Sequence, residues 1–296
     1  MFFSTARAVK AFLRRLIGFA AFDSLYQYRQ WPVWEDPLKD AQEGPAVFVE
    51  PHYDDVVFSC GGTVSALRAA GQDLHLVSVF TGAPSGPLSP LAEKVHETWE
   101  EDGASHPYEL RRREAAQIVR DIGVQHHELD LPEVIYRDGP FRQIGDIFDP
   151  TVPVDRDPLI PVLADALAPI LDRIQPAVLF LPSGIGFHYD HRVVRAAWQR
   201  LSGRSGDAPA VWWYEDFPYV TNPSHFVRYR MHVEPPRGFA LVDVTDTFED
   251  RVRWAAMYDQ QCRALFGTPD KLRTRMYTYS ARVGTPDRPH ERFWTL

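Results

Sequence analysis

The sequence predicts an α/β fold of the Rossmann-like type, with a mainly parallel sheet and helices on both faces. Short apolar runs alternate with amphipathic segments through most of the chain, which is the pattern of parallel strands joined by helices. The runs at 46–50 and 177–182 are almost entirely apolar, as expected of strands that are covered on both faces. In such sheets ligands bind beyond the carboxyl ends of the strands, so we expect the functional site there.

Each element follows from its local pattern. Strands are predicted, in chain order, at AVFVE, LHLVSVF, HHELDL, AVLFLP and AVWWYED, of which AVFVE is a continuous apolar run suited to a buried strand. Apolar residues at helical spacing predict helices at GGTVSALRAAG, LRRREAAQIVRDIGV, LIPVLADALAPILDRI and DHRVVRAAWQRL. The later segment FALVDVTDTFEDRVRWAAMYDQQCRALFG predicts a further strand and a capped helix within the same domain. Segments 81–108, with a short helix, and 131–158 are predicted to be long loops over the site, and the sequence does not decide whether they act as a lid.

We expect residues 1–296 to form a single domain, with an N-terminal amphipathic helix and connector over about 1–44. Three basic residues, Lys10, Arg14 and Arg15, interrupt the apolar N-terminal stretch, so it fits neither an export signal nor a transmembrane span. The apolar face of this helix would consist of Phe12, Ile17, Phe19 and Phe22. We favour docking of this face on the protein over a membrane contact.

Composition narrows the classes of partner. The formal charge is −8, from 40 acidic and 32 basic residues, which opposes a surface that tracks nucleic-acid phosphates. The two cysteines, Cys60 and Cys262, are too few for a disulfide framework and lack the spacing of a structural zinc site. We therefore expect a cytoplasmic protein with a small-molecule partner, and the oligomeric state stays open.

Clusters of histidine and aspartate follow two of the predicted strands. The first is HYDD at 52–55 and the second is HYDH at 188–191. An isolated pair of aspartates is usually a turn or a helix cap, but two carboxylate clusters in one crevice repel each other unless a cation offsets them. His52 and Asp55 could bind a metal with one histidine of the second cluster, which leaves Asp54 free to accept a proton from water. This arrangement is typical of a hydrolase.

The ordered motifs resemble those of the PIG-L/LmbE family of zinc-dependent N-deacetylases. The first motif of that family is usually written His-Pro-Asp-Asp followed by Gly-Gly-Thr, and a later motif is His-x-Asp-His. The resemblance covers roughly 47–266 and is carried by PHYDDVVFSCGGT, VSVFTG, ELRRREAAQIVRDIGV, GIGFHYDHRVV and AAMYDQQCRALFG. Tyr53 and Val56 depart from the family's usual proline and glutamate, but neither is a proposed ligand.

The resemblance implies a role for each residue of the two clusters. His52, Asp55 and His191 would bind one Zn²⁺ per chain, and another divalent metal such as Fe²⁺ could replace it. Asp54 would be the general base, while His188 would stabilise the oxyanion and Asp190 would orient an imidazole.

Substrate contacts are predicted from the residues around the clusters. Arg111 lies at the family's helix arginine and could bind substrate hydroxyls, although a surface arginine in the run RRR is an equal alternative. Tyr189, Glu215, Asp216 and Tyr219 are further candidates, because they follow predicted strands and could stack on or hydrogen-bond a sugar.

Together these features predict a metal-dependent hydrolase that removes an N-acetyl or similar N-acyl group from an amino sugar or its conjugate. One alternative is a phosphoesterase with two metals, since His/Asp clusters also serve phosphoryl chemistry. Another is a non-catalytic carbohydrate-binding protein of the same fold. The sequence does not identify the acetylated substrate.

Overall fold

A seven-stranded sheet forms the centre of the protein, in the order β3-β2-β1-β4-β5-β7-β6. The computed structural model describes residues 36–84, 86–99, 107–203, 209–233 and 237–295. The strands are β1 (Ala46–Glu50), β2 (Leu74–Ser78), β3 (Gln125–Glu128), β4 (Val178–Pro182), β5 (Ala210–Tyr214), β6 (Gly238–Asp243) and β7 (His290–Thr295). Strands β1 to β5 run parallel to one another, and β7 is antiparallel to both β5 and β6. The predicted fold class, a mainly parallel α/β sheet, is confirmed.

Helices cover the sheet on both faces. They are α1 (Pro37–Asp40), α2 (Asp55–Ala69), α3 (Pro90–Glu97), α4 (Pro107–Ile122), α5 (Leu159–Ile174), α6 (Tyr189–Ser202), α7 (Pro223–His232), α8 (Phe248–Met257), α9 (Asp259–Phe266) and α10 (Pro269–Val283). Helix α8 packs on α2, and α5 packs on α6. Every residue of β1 and β4 is buried, because helices cover both faces of these central strands.

The described residues belong to one compact unit. The N-terminal amphipathic helix lies outside the described residues, so the single domain over 1–296 stays a prediction. Within the described part of the chain, no helix is both long and apolar enough to cross a membrane.

Helix α2 is interrupted directly before the Gly-Gly-Thr segment of the first motif. Cys60 has non-helical backbone angles, and the second part of the helix begins after it. Both oxygens of Glu291, on the distant strand β7, accept hydrogen bonds there: from the Gly62 amide at 2.9 Å and from the Thr63 amide at 2.8 Å. A Cβ on Gly62 would lie 2.8 Å from Val244 Cβ, so only glycine fits. The carboxylate of Glu291 therefore caps the N-terminus of the second part of α2.

Candidate active site

The two histidine and aspartate clusters lie next to each other because β1 and β4 are paired parallel strands. Residues 52–55 form the turn from β1 into α2, and His188 is the residue immediately before α6. The turn into α6 passes through Gly186, whose φ is 98°. A Cβ at this glycine would lie 2.5 Å from Tyr219 Cβ, so glycine allows the turn to approach the tyrosine closely.

The centre of the site is the carboxylate of Asp55. Its Oδ2 atom lies 3.2 Å from His52 Nδ1 and 3.4 Å from His191 Nε2. Ligand atoms of His52, His188 and His191 all lie within 4.8 Å of one another. His191 Nε2 and His188 Nδ1 are buried and have no hydrogen-bond partner among the described residues. The predicted ligands His52, Asp55 and His191 are therefore brought together, and His188 lies beside them.

Two further carboxylates orient the imidazoles from behind. His52 Nε2 lies 3.1 Å from Asp190 Oδ2, and His191 Nδ1 lies 2.7 Å from Asp216 Oδ1. An ionised carboxylate only accepts hydrogen bonds, so both of these ring nitrogens donate. In the neutral rings, the other nitrogens then carry lone pairs that point toward Asp55.

The arrangement of these lone pairs indicates whether the residues are suited to bind a metal ion. Three electron-rich atoms, two imidazole nitrogens and a carboxylate oxygen, converge in a buried space and repel one another unless protons or a cation lie between them. Imidazole and carboxylate are the ligands of many divalent-metal sites, and carboxylates commonly orient metal-binding histidines. The donor set fits a divalent cation.

The electrostatics distinguish the two adjacent aspartates. Burial, followed by the charge of Asp55, raises the pKa of Asp54 to about 6, while Arg111 and His52 oppose this rise. Burial would also raise the pKa of Asp55, but the charge of His191 and the hydrogen bonds of His52 hold it well below its usual range. Asp54 makes no side-chain cap to α2, so its carboxylate is available. A buried carboxylate that titrates close to neutral pH suits a general base.

Arg111 borders Asp54. Its Nη1 donates to Glu133 Oε1 at 2.6 Å, its Nη2 lies 4.0 Å from Asp54 Oδ1, and its guanidinium lies over the Trp99 ring at 4.7 Å. Only 5% of Arg111 is exposed, which rules out the alternative of a surface arginine. Its predicted contact with substrate stays a prediction.

Tyr219 lies at the rim of the site. Its ring centroid is 5.8 Å from that of His191 and 6.3 Å from that of His188. Phe148 joins this rim, with its ring 5.1 Å from His188 and 5.4 Å from Tyr219. Tyr219 is therefore where a substrate-binding residue is expected.

Three other predicted substrate residues make their contacts within the protein. Tyr189 turns toward the 131–158 loop, where its ring meets Phe141 at 4.9 Å. Glu215 accepts hydrogen bonds from Tyr279, Arg292 and Trp294 in the core. Asp216 lies behind His191. Local sequence could not show this, because the partners of Glu215 lie on α10 and β7, more than 60 residues away.

Sequence reasoning missed two charged residues of the 131–158 loop. Glu133 pairs with Arg111, and Arg137 donates to Asp190 Oδ1. Burial alone would raise the pKa of Asp190, but Arg137 and the hydrogen bond of His52 lower it to about 2. No local motif marks these residues, since their role depends on how a long loop folds back.

The fold and site define a class, the LmbE-like α/β deacetylases. The chain belongs to the PIG-L family, described as GlcNAc-PI de-N-acetylase, which matches residues 47–201, more than half of its length. The 2′-N-acetylparomamine deacetylase of Streptomyces fradiae is 27% identical over 285 residues, covering 90% of this chain and 96% of the relative.

Two solved structures resemble the fold. A deacetylase of teicoplanin biosynthesis is 25% identical with a TM-score of 0.70, over 84% of this chain and 96% of that one. The zinc-inhibited form of teicoplanin deacetylase Orf2 is 23% identical with a TM-score of 0.69, over 84% and 97%. Together, the comparisons support a deacetylase enzyme.

Proposed function

We propose that the protein is a metal-dependent N-deacetylase that hydrolyses the N-acetyl, or similar N-acyl, group of an amino sugar or amino-sugar conjugate. The observation that carries this proposal is the convergence of His52 Nδ1, His191 Nε2 and Asp55 Oδ2, with the carboxylate of Asp54 beside them. The first relative acts, by its name, on 2′-N-acetylparomamine, which supports an N-acetylated amino-sugar acceptor for this chain as well.

His52, Asp55 and His191 would hold the ion, with zinc as the first candidate and Fe²⁺ as another. When bound, a divalent ion lowers the pKa of water to near 7 and polarises a carbonyl oxygen. Asp54 accepts the proton of the attacking water, and a pKa of about 6 lets it deliver that proton to the departing amine. The products are an amine and a carboxylate.

His188 is suited to stabilise the oxyanion. Burial, followed by the charges of His52 and His191, holds the pKa of His188 well below its usual range, so its ring is neutral at pH 7. A neutral imidazole retains one N–H donor, and no described residue occupies its Nδ1. A donor held beside the reacting carbonyl typically contributes 10²–10³ in kcat.

The surroundings support a ring-shaped acceptor. Tyr219 and Phe148 offer aromatic faces beside His188, and the apolar face of a sugar packs well on such rings. Arg111 offers a guanidinium on the Asp54 side of the site. Cys60 and Cys262 are both buried and unpaired, in keeping with the cytoplasmic location that we propose.

The test combines metal analysis with amine release. Purified wild type, Asp54→Asn and the exposed control Asp36→Asn are saturated with zinc and then freed of unbound ion, because Orf2 is known in a zinc-inhibited form. Metal per chain and amine released from a panel of N-acetylglucosamine glycosides are then measured. We expect one ion in each protein, with amine release lost only in Asp54→Asn.

Other outcomes favour the alternatives. Two ions per chain, with hydrolysis of a phosphate ester and of no acetamide, would indicate the phosphoesterase. Saturable binding of the glycosides, with neither amide nor ester hydrolysed by the metal-loaded wild type, would indicate a carbohydrate-binding protein.

A further inference from the structure

The loop 131–158 reaches the candidate metal site through one carboxylate. Asp190 is fully buried, and its Oδ2 atom accepts hydrogen bonds from His52 Nε2 at 3.1 Å and from the Val134 amide at 2.9 Å. Its other oxygen, Oδ1, accepts from Arg137 Nη2. Two of these three donors therefore come from the loop, and the third is a predicted metal ligand.

Arg137 is itself held in place. Its Nη1 lies 3.5 Å from Asp157 Oδ2, and its guanidinium lies over the ring of Phe80 at 5.2 Å. Asp157 is fixed in turn, since its Oδ1 accepts from the Leu159 amide at the start of α5 at 2.8 Å. An unbroken series of contacts thus runs from Asp157 through Arg137 and Asp190 to His52.

Such a series has a physical consequence for metal binding. A buried carboxylate keeps its position only when cations and hydrogen-bond donors surround it. Without Arg137, Asp190 loses the guanidinium that faces Oδ1, and the imidazole that it orients loses its fixed direction. Mutation of a carboxylate that orients a metal-binding histidine typically costs 10- to 100-fold in metal affinity, and we expect the loss of Arg137, one contact further away, to lie at the lower end of this range.

We propose that Arg137 is a positioning residue that couples the conformation of the 131–158 loop to cation affinity at His52, acting through Asp190. This inference rests on the proposed function, because it requires His52 to bind the ion. By linkage, a bound ion must stabilise this conformation of the loop as much as this conformation strengthens ion binding.

Zinc affinity, measured by competition with a chromogenic chelator, provides the test. The variants are Arg137→Gln, Arg137→Lys, His52→Ala and the matched control Arg142→Gln, an exposed arginine of the same loop that donates to Gly139 O. We expect about 10-fold weaker zinc binding in Arg137→Gln and no change in Arg142→Gln. Lysine should recover part of the loss, because it restores the charge but not the planar fork that reaches both carboxylates.

A double mutant separates positioning from a general structural role. In an Asp190→Asn background, Arg137→Gln should cause no further loss of zinc affinity, because the group through which it acts has been neutralised. A second full 10-fold loss in that background would overturn the proposal.

Protease cleavage gives a readout that does not depend on activity. Zinc should slow tryptic cleavage after Arg142 in the wild type, and should slow it clearly less in Arg137→Gln. Equal zinc affinity in Arg137→Gln, Arg142→Gln and wild type, with His52→Ala weakened, would overturn this inference and leave the proposed function standing. Unchanged affinity in His52→Ala would overturn both.

Discussion

Replacement of Asp216 by asparagine should impair metal binding while the fold is kept. Asp216 Oδ2 accepts from Ser183 Oγ at 2.6 Å and from the Ile185 amide at 2.8 Å, and its Oδ1 faces His191 Nδ1 at 2.7 Å. The amide oxygen of asparagine can retain the first two hydrogen bonds. Its NH₂ group then faces Nδ1, which moves the ring proton to Nε2, the atom that faces Asp55.

The magnitude follows from this change of tautomer. To bind a metal through Nε2, His191 in the variant must return its proton to Nδ1. The Nδ1–H group then faces the NH₂ group of the asparagine, and one of these two donors has no acceptor. An unsatisfied buried donor costs about 1–3 kcal/mol, which corresponds to roughly 5- to 150-fold weaker metal binding. Since two of three hydrogen bonds remain, the free energy of unfolding of the metal-free protein should fall by less than about 2 kcal/mol.

Zinc affinity and urea unfolding are measured on Asp216→Asn, on His191→Ala, and on the control Asp149→Asn, which changes a partly exposed turn. We expect zinc affinity to fall in the first two variants and to be unchanged in the third. Wild-type zinc affinity in a folded Asp216→Asn protein would refute the reasoning that Asp216 selects the tautomer of His191.

Three further predictions concern single carboxylates. Asp54→Asn should lower the rate of amine release about 10²- to 10⁴-fold at unchanged zinc content, and a metal-free variant would contradict the assignment of Asp54 as the base. Glu215→Gln, which uncouples a buried pair with Arg292, should lower the free energy of unfolding in urea by about 3–5 kcal/mol; an unchanged midpoint would contradict the structural role. Burial raises the pKa of Glu114, which is half-buried, from 4.5 to about 7, so the native protein binds this proton more tightly than the unfolded chain does. The resulting contribution to the free energy of unfolding is present below pH 4.5 and is lost as the pH rises through 7. Glu114→Gln should therefore be more stable than wild type at pH 8, by about 1 kcal/mol after allowance for solvent screening, and equally stable near pH 4.

Much of the fold follows from local pattern. The apolar runs that become β1 and β4 are recognisable because helices cover both faces, and the polar clusters that follow them identify the edge of the sheet where the site lies. The predicted helix after the first motif was too short, since α2 begins at Asp55 rather than at Gly61. Because the HYDD residues are polar, the apolar pattern did not indicate that the helix begins among them.

Strand β7 could not be predicted from its own sequence. Its HERFWT pattern contains two charged residues that are buried in the structure, where Glu291 caps the broken helix and Arg292 pairs with Glu215. Local pattern assigns charged residues to the surface, and only long-range partners make their burial possible. The orienting roles of Asp216 and Arg137 were hidden for the same reason.

The hydrogen bonds of Glu291 also constrain the order in which parts of the structure can form during synthesis. Glu291 lies 228 residues after Thr63, so the turn that follows the first motif lacks its carboxylate until β7 has been synthesised. Contacts of such long sequence separation form late, because the intervening chain must first be ordered. A nascent or truncated chain that ends at residue 201, where the family match ends, would contain every candidate metal ligand and lack β5, β6, β7 and Asp216. The candidate site is therefore complete only after the strands that follow the family match have been synthesised.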